Sequence, residues 1–393
     1  MAVKFNTTSL ELTIDNTMVK NLPIVARNPF TLALLNPAVV SRYTAQKNPF
    51  FMWAASSVEV GGSQNTSGDV LVDGMPVMLG PKSSYAPTMD NTTEVTVQQN
   101  SVDAEYGHSS GGILNVSAKS GTNEIHGTTY YFGRNPALNA VSNPLNRAPN
   151  LVRNHIWGGT VGNPWKKNRI FNFFAYEQWR QRDPQFEQRR MMTPQERDGD
   201  FSQSLNINGG LRTIYDPLTS QLQGAQATRQ AFAGNVVPKA RIDPSASKFL
   251  AEMWGPNRAG TDITGLNNFG ASYVRQLFYH NLSNRTDFNI KDNLRSFVRV
   301  SRFRTKLEDQ NFTPNKSRLF PNPNGGAMHA LNVSGDLVWT IGPRTVLNFR
   351  GNYISNNDDY DAPEQYATLA NYKEFFPRAT DFYTRYLDFG APF

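Results

Sequence analysis

The chain has 393 residues, a formal charge of +7, 39% hydrophobic residues and no cysteine. That length allows two or three ordinary domains, while the lack of cysteine excludes a disulfide scaffold and thiol-based metal or redox chemistry and fits an exported protein. No apolar run approaches the ~18 residues of a transmembrane helix, and the basic residues lie in short clusters (Lys166-Lys167, Arg180 to Arg190, Arg295 to Lys306) with no nucleic-acid-binding motif around them. They are read as a solvated surface, or as arginines that face anionic lipopolysaccharide or line a channel.

The first ten residues, MAVKFNTTSL, hold no apolar core of the ~7 to 15 residues that a signal peptide needs. Leu10, Leu12 and Ile14 alternate with Glu11, Thr13 and Asp15, so residues 1–17 read as the last strand of a preceding domain. One short helix is expected between Pro29 and Asn36, stopped before Pro37. Strands are expected at about 58–60, 70–72, 93–97 and 113–118, with a brief helix near 102–106. Asp73-Gly74 is a strong hairpin signal, because Gly accepts the positive φ of a two-residue turn. Tyr106-Gly107, Gly111-Gly112 and Ser120-Gly121 punctuate the run in the same way.

From Ile125 the pattern changes to longer strands with aromatics, at about 125–134, 154–163, 169–180, 283–292, 295–308, 329–341 and 345–356. Leu331, Val333, Gly335, Leu337 and Trp339 alternate with Asn332, Ser334 and Asp336, and Leu347, Phe349, Gly351 and Tyr353 alternate with Asn348, Arg350 and Asn352. Such rows suit a barrel in lipid or a half-buried soluble sheet equally well. Between the third and fourth strands lies a polar stretch of about a hundred residues, too long for an irregular loop of a compact soluble domain.

Catalytic chemistry is not legible. The histidines His108, His126, His155, His280 and His329 stand at no metal-ligand spacing, and HExxH and P-loop patterns are absent. Glu124 and His126 read as a polar strand start, Asp73 as a turn residue, and Glu105 as a partner for a basic residue elsewhere.

The stretch from Asp103 to Tyr131, DAEYGHSSGGILNVSAKSGTNEIHGTTYY, resembles the junction of plug and first barrel strand in TonB-dependent outer-membrane receptors, in particular the Oar-like branch with a carboxypeptidase-regulatory-like domain upstream. Asn21 to Pro29, Asn154 to Gly162, Phe171 to Glu177, and the segments Thr193-Pro194, Gly199 to Ser202, Ile214 to Pro217 and Arg241 to Pro244 are similar to further family segments. The resemblance implies an α+β plug domain at 18–124 followed by the first antiparallel strands of a transmembrane β-barrel at 125–393, with a long extracellular loop at about 181–270. Receptors of this class have about 22 strands, so about seven are present, and the chain is expected to be a fragment truncated at both ends.

The family's implied function is import of a scarce solute, a siderophore, saccharide or similar small molecule or oligosaccharide, across the bacterial outer membrane. It implies the TonB-ExbB-ExbD complex and outer-membrane lipid as partners, no cofactor, no metal, no nucleic acid and no enzymatic step. The loops of the plug that touch solute map onto Ser63, Gln64 and Asn65 before the DG-containing strand and Lys82, Ser83 and Tyr85 after it. Asp73, Gly74, Glu105, Tyr106, Gly107, Gly111 and Gly112 map onto the structural plug motif. The alternative is a surface adhesion or contact protein of the same branch, working without transport.

Overall fold

The computed structural model describes residues 10–22, 24, 27–41, 58–64, 67–79, 82–83, 85–99, 109, 111–141, 145, 147, 149–224, 226–309, 326–359 and 374. The chain divides into two compact units, one made of 1–182, 277–307 and 326–359, the other of 183–276, 308–325 and 360–393. The expected helix near 102–106 lies outside the described residues.

Within the first unit a small sheet is built from β1 (Leu10–Ile14), β2 (Asp69–Val72), β3 (Met75–Pro76), β4 (Thr92–Gln99) and β5 (Ile113–Ala118), in the spatial order β1-β4-β5-β2-β3. Only β2 and β5 run parallel; the other neighbours are antiparallel. Leu10–Ile14, expected at the end of a preceding domain, is an edge strand of this sheet and pairs residue for residue with Val95 to Gln99. A helix at Asn16–Asn21 follows, its first turn capped by the Asp15 carboxylate on the Met18 amide. The expected helix after Asn28 is a 3-10 helix, Pro29–Leu35, with the Asn28 side chain capping Phe30 and Pro at the first position. Alternation sends Val70 and Val72, Val95 and Val97, and Leu114 and Val116 into one dry core with Ile14, Phe30 and Leu32.

The larger sheet is an antiparallel meander of seven strands: β6 (His126–Arg134), β7 (Arg153–Lys166), β8 (Ile170–Arg189), β9 (Phe269–Lys291), β10 (Leu294–Asp309), β11 (Gly326–Gly342) and β12 (Thr345–Asp359), each beside the next in chain order. All seven expected strands are present. β8 and β9 run longer than expected, to Arg189 and from Phe269. Pro184 lies within this extension; Arg153↔Arg182 is the last pair on the β7 side, so Pro184 falls where that flank has no partner in β7 and its missing N–H costs no ladder bond there. Turns alternate in length: two to three residues join β7 to β8, β9 to β10 and β11 to β12, whereas 135–152, 190–268 and 310–325 make the other connections.

The packing of this sheet is inverted relative to a soluble protein. Asn332, Ser334 and Asp336 are 0%, 1% and 8% exposed, while Leu331, Trp339, Phe349 and Tyr353 are 36%, 41%, 68% and 60% exposed. Polar residues meet the small-sheet body and apolar residues meet the surroundings, which the two alternating rows could not decide by themselves. That is the arrangement a strand in lipid requires, because an apolar row in water would cost roughly 25 cal/mol for each Å² left exposed. No helix among the described residues is long and apolar enough to cross a membrane.

In the second unit the segment after Arg189 is ordered by side chains rather than by a core. A capping box at Thr193 and Glu196 starts a short helix, Pro194–Arg197. Arg190 pairs with Glu196, Ser204 donates to the same carboxylate at 2.6 Å, and the Asn268 side chain brackets the Met191 backbone at 2.6 and 2.8 Å. Burial pushes the Glu196 carboxyl up, but hydrogen bonds from Ser204, Arg190 and the Thr193 backbone outweigh it and hold the group below the usual carboxylate range. Trp254 stacks on Phe269 with ring centroids 5.6 Å apart.

Candidate functional site

Two polar clusters and a cavity join the small-sheet body to the seven-stranded wall, all within the first unit. The first is centred on Asp73. Asp73 and Gly74 both have positive φ, 54° and 75°, the geometry of a two-residue hairpin turn between β2 and β3. The Asp73 backbone N–H donates to Val116 O at 2.9 Å, and the Gly74 N–H donates to the Asn115 side chain at 3.0 Å. This holds the turn so that the Asp73 carboxylate projects toward the wall. One of its oxygens accepts from the Ala118 N–H at 2.8 Å and from Arg285 Nη1 at 3.0 Å; the other accepts from Arg299 Nη1.

Arg299 on β10 is fully buried, and Arg285 on β9 is partly buried. A buried guanidinium needs its donors satisfied. Arg299 Nη2 donates to Asn332 Oδ1 at 3.2 Å and Ser334 Oγ at 3.0 Å, its Nε finds no partner among the described residues, and its head lies 5.6 Å from the Tyr85 ring centroid. Arg285 also grips Asp287 and stacks 4.1 Å over Phe297.

The second cluster is centred on Arg27, whose φ of 48° is unusual for a residue other than glycine. Its guanidinium lies 4.6 Å from both the Tyr130 and Phe132 ring centroids on β6, donates to Glu177 on β8 at 2.9 Å, and pairs with Asp90 of its own body. Glu177 is 0% exposed and accepts from Tyr130 Oη at 2.9 Å and Trp179 Nε1 at 3.1 Å as well. Burial alone would lower the pKa of Arg27; the charges of Glu177 and Asp90 outweigh it and raise the value above that of an ordinary arginine.

Further docking contacts run alongside: Asn281 Nδ2 to Ala86 O and Asn352 Nδ2 to Pro76 O, both at 2.6 Å, and Ser120 Oγ to the Asp287 carboxylate at 2.7 Å. Between Asp73 and the wall lies a cavity of about 470 Å³ lined by Arg285, Asp287, Arg295, Asp336 and Arg350 among others. It holds charges of both signs, and Arg350 pairs with Asp336, its direct neighbour on the adjacent strand, at 2.8 Å. Among the described residues no three metal-ligating side chains stand together.

The residues expected from sequence sit as follows. Ser63 Oγ accepts from the Val60 N–H at 3.2 Å and donates to Gly111 O at 3.3 Å, and Gln64 is exposed. Lys82 and Ser83 form a short strand paired with Met78 and Leu79. Tyr85 is 1% exposed, in the core beneath Arg299. Asn65, Glu105, Tyr106 and Gly107 lie outside the described residues. Gly111 and Gly112 lie against Ser63 and the Gln98 carbonyl. Asp73 serves the turn, as expected, and is also the anion for two wall arginines. Arg27, Asp90, Glu177, Arg285 and Arg299 escaped the sequence reading; the available signal was the presence of charges on strand rows that face away from the apolar row.

This inverted sheet, with its polar face closed against a small α+β body, is a transmembrane β-barrel wall. Residues 117–389, well over half of the chain, match the model of the family described as "Outer membrane beta barrel domain", and the chain belongs to that family. The protein is located in the outer membrane. Its structure is similar to that of the outer membrane transporter YddB from Escherichia coli, with a TM-score of 0.51 and 9% identity over 89% of this chain and 40% of that one. The ferric-catecholate import receptor Fiu from E. coli K12 matches with a TM-score of 0.42 and 11% identity over 90% and 50%. The siderophore receptor PirA from Pseudomonas aeruginosa matches at 0.38 and 11% over 88% and 48%. The chain thus spans about 40 to 50% of the length of these solved structures. No curated protein matches the sequence.

Proposed function

We propose that this chain is the gate and the first third of the wall of a TonB-dependent, Oar-like receptor that imports a scarce solute, the small-sheet body acting as the plug. The observation that carries this reading is the Asp73–Arg299 pair, a plug carboxylate inserted among buried wall donors. Breaking a buried, hydrogen-bonded ion pair costs about 3–5 kcal/mol, and several such contacts together exceed what a solute's differential binding supplies. Opening therefore requires work from outside, which suits a plug pulled from the periplasm by TonB with energy from ExbB and ExbD. Solute meets the plug loops around Ser63–Asn65 and Lys82–Tyr85 first. The plug spans about 18–124, and the long extracellular loop lies between β8 and β9.

The test is uptake of a panel of radiolabelled oligosaccharides and ferric chelates by cells bearing the complete receptor, with and without TonB. Uptake of at least one solute that disappears without TonB is expected. Surface binding with no uptake of any panel member in either strain would instead favour the contact role, for which the exposed Ile207, Leu218, Leu222 and Ile263 of the loop segment speak.

A further inference from the structure

A second cavity, of about 390 Å³, lies between the small-sheet body and the first strands of the wall. From the body it is lined by Asn16, Lys20 and Lys119, and from the wall by His126, Thr128 and Thr160. Asn16 and Lys20 stand one turn apart on the Asn16–Asn21 helix and so share a face. Lys119 directly follows β5, its N–H fixed on Asn91 O at 2.8 Å. His126 and Thr128 belong to the row of β6 that continues to Tyr130, the ring beneath Arg27, and Thr160 is the register partner of Thr128 on β7. His126 opens β6 opposite Gly162, near the short turn from β7 to β8, so the cavity is at the periplasmic end by the rule that periplasmic turns are short.

Among the described residues no carboxylate lines this cavity, in contrast with the mixed charges around Asp73. The nearest acid, Asp90, is engaged by Arg27, and Lys119 Nζ reaches only its backbone oxygen, at 2.7 Å. Burial lowers the Lys119 pKa, the Asp90 charge partly offsets this, and the Lys20 ammonium lowers it further. Two ammonium groups therefore repel each other across a half-buried space, a cost that an anion between them removes. Thr128 Oγ1 and Thr160 Oγ1 share one hydrogen bond at 2.9 Å, which leaves one of their two protons to donate. Asn16 supplies the opposite demand: its buried Oδ1 accepts no bond among the described residues and calls for a donor, which a fully ionised anion lacks. The volume is that of a small organic molecule rather than of a bare tetrahedral ion, which fills only a few times the ~30 Å³ of a water.

We infer that this cavity binds a small hydroxylated phosphate monoester, of the glycerol phosphate or sugar phosphate class, from the periplasm. Lys20, Lys119 and the threonine pair take the phosphate, and a hydroxyl of the ester donates to Asn16 Oδ1. Bound there, the ester bridges the helix and the wall and so tightens the docking of the small sheet. The inference rests on the cavity and the outer-membrane location, not on the transport reading.

The experiment is isothermal titration calorimetry of the full chain, purified in detergent from outer membranes, with glycerol 3-phosphate, inorganic phosphate and glycerol. Wild type binds glycerol 3-phosphate saturably, inorganic phosphate about fivefold more weakly, and glycerol not at all. Lys20→Gln and Lys119→Gln each lower the affinity for both phosphates about fivefold. Asn16→Ala lowers that for glycerol 3-phosphate alone, and K166Q/K167Q, at the neighbouring turn, leaves both unchanged. Inorganic phosphate binding as tightly as the ester, with no effect of Asn16→Ala, would reassign the site to free phosphate and overturn the ester. Absence of saturable binding in the millimolar range, or wild-type affinity in Lys20→Gln, overturns the site itself. Lys20 is exposed, so that variant decides the matter even if Lys119→Gln fails to fold.

Discussion

Arg299 and Asp73 are 226 positions apart in sequence and form a pair in which the arginine is fully buried and the carboxylate side chain is 5% exposed. The carboxylate sits on a left-handed turn residue, so one position sets the hairpin between β2 and β3 and also neutralises the wall. These two duties separate by mutation. Asp73→Asn keeps a residue that tolerates positive φ but removes the charge, leaving Arg299 uncompensated; a loss of about 3–5 kcal/mol in docking of the small sheet on the wall is expected. Asp73→Gly keeps the turn as well and should lose a similar amount. Chemical denaturation followed by tryptophan fluorescence checks this, and a loss in either variant below ~1 kcal/mol would show that the pair is not what holds the small sheet to the wall.

The Arg27–Glu177 contact is coupled to Tyr130 and Trp179, so single substitutions should not add. Arg27→Met and Glu177→Gln should each destabilise by several kcal/mol, because each leaves a buried partner, while the double variant should be less destabilised than the sum by about 1.5–3 kcal/mol. A double-mutant cycle on thermal unfolding reads the coupling directly; additivity within ~0.5 kcal/mol would mean that the two charges do not interact.

Loosening the small-sheet body from the wall has a cellular consequence under the proposed function. Cells carrying the protein with both Asp73→Asn and Arg27→Met should become sensitive to vancomycin, which is too large for ordinary porins, while wild-type cells remain resistant. Unchanged sensitivity at equal surface expression would count against the two clusters as the closure.

Gly112 has φ +95°, and a Cβ there would lie 2.6 Å from the Gln98 carbonyl oxygen. Backbone cannot give way as a side-chain tip can, so Gly112→Ala should cost about 1–3 kcal/mol. Proteolysis rates of the small-sheet body would register it, and a wild-type rate in the variant would rule the constraint out.

Glu196 gives the loop segment an acid limit. Its folded-state pKa is depressed, so its contribution is complete above the unfolded value of about 4.3 and is lost as pH falls through the lower, folded value. Trp254 fluorescence should stay constant down to about pH 4 and change below it, whereas Glu196→Gln should flatten that transition. Identical acid titrations for the two proteins would remove Glu196 as its cause.

Local chemistry carried much of the fold. Alternation at 331–339 and 347–353 marked strands, Asp73-Gly74 marked a turn, and Pro29 after Asn28 marked a helix start, because these depend on residues within a few positions of one another. Ser63 and Tyr85 were singled out from the motif, yet the first is a tether to Gly111 and the second is buried beneath an arginine. What the sequence by itself determined is the set of strands and their two rows. Only the tertiary structure decided which row faces lipid and which charges meet, since Arg27, Asp73, Glu177, Arg285 and Arg299 acquire partners only when strands far apart in the chain enclose the small sheet. A buried charge is tolerated where its counter-charge arrives, and that arrival has no local signature.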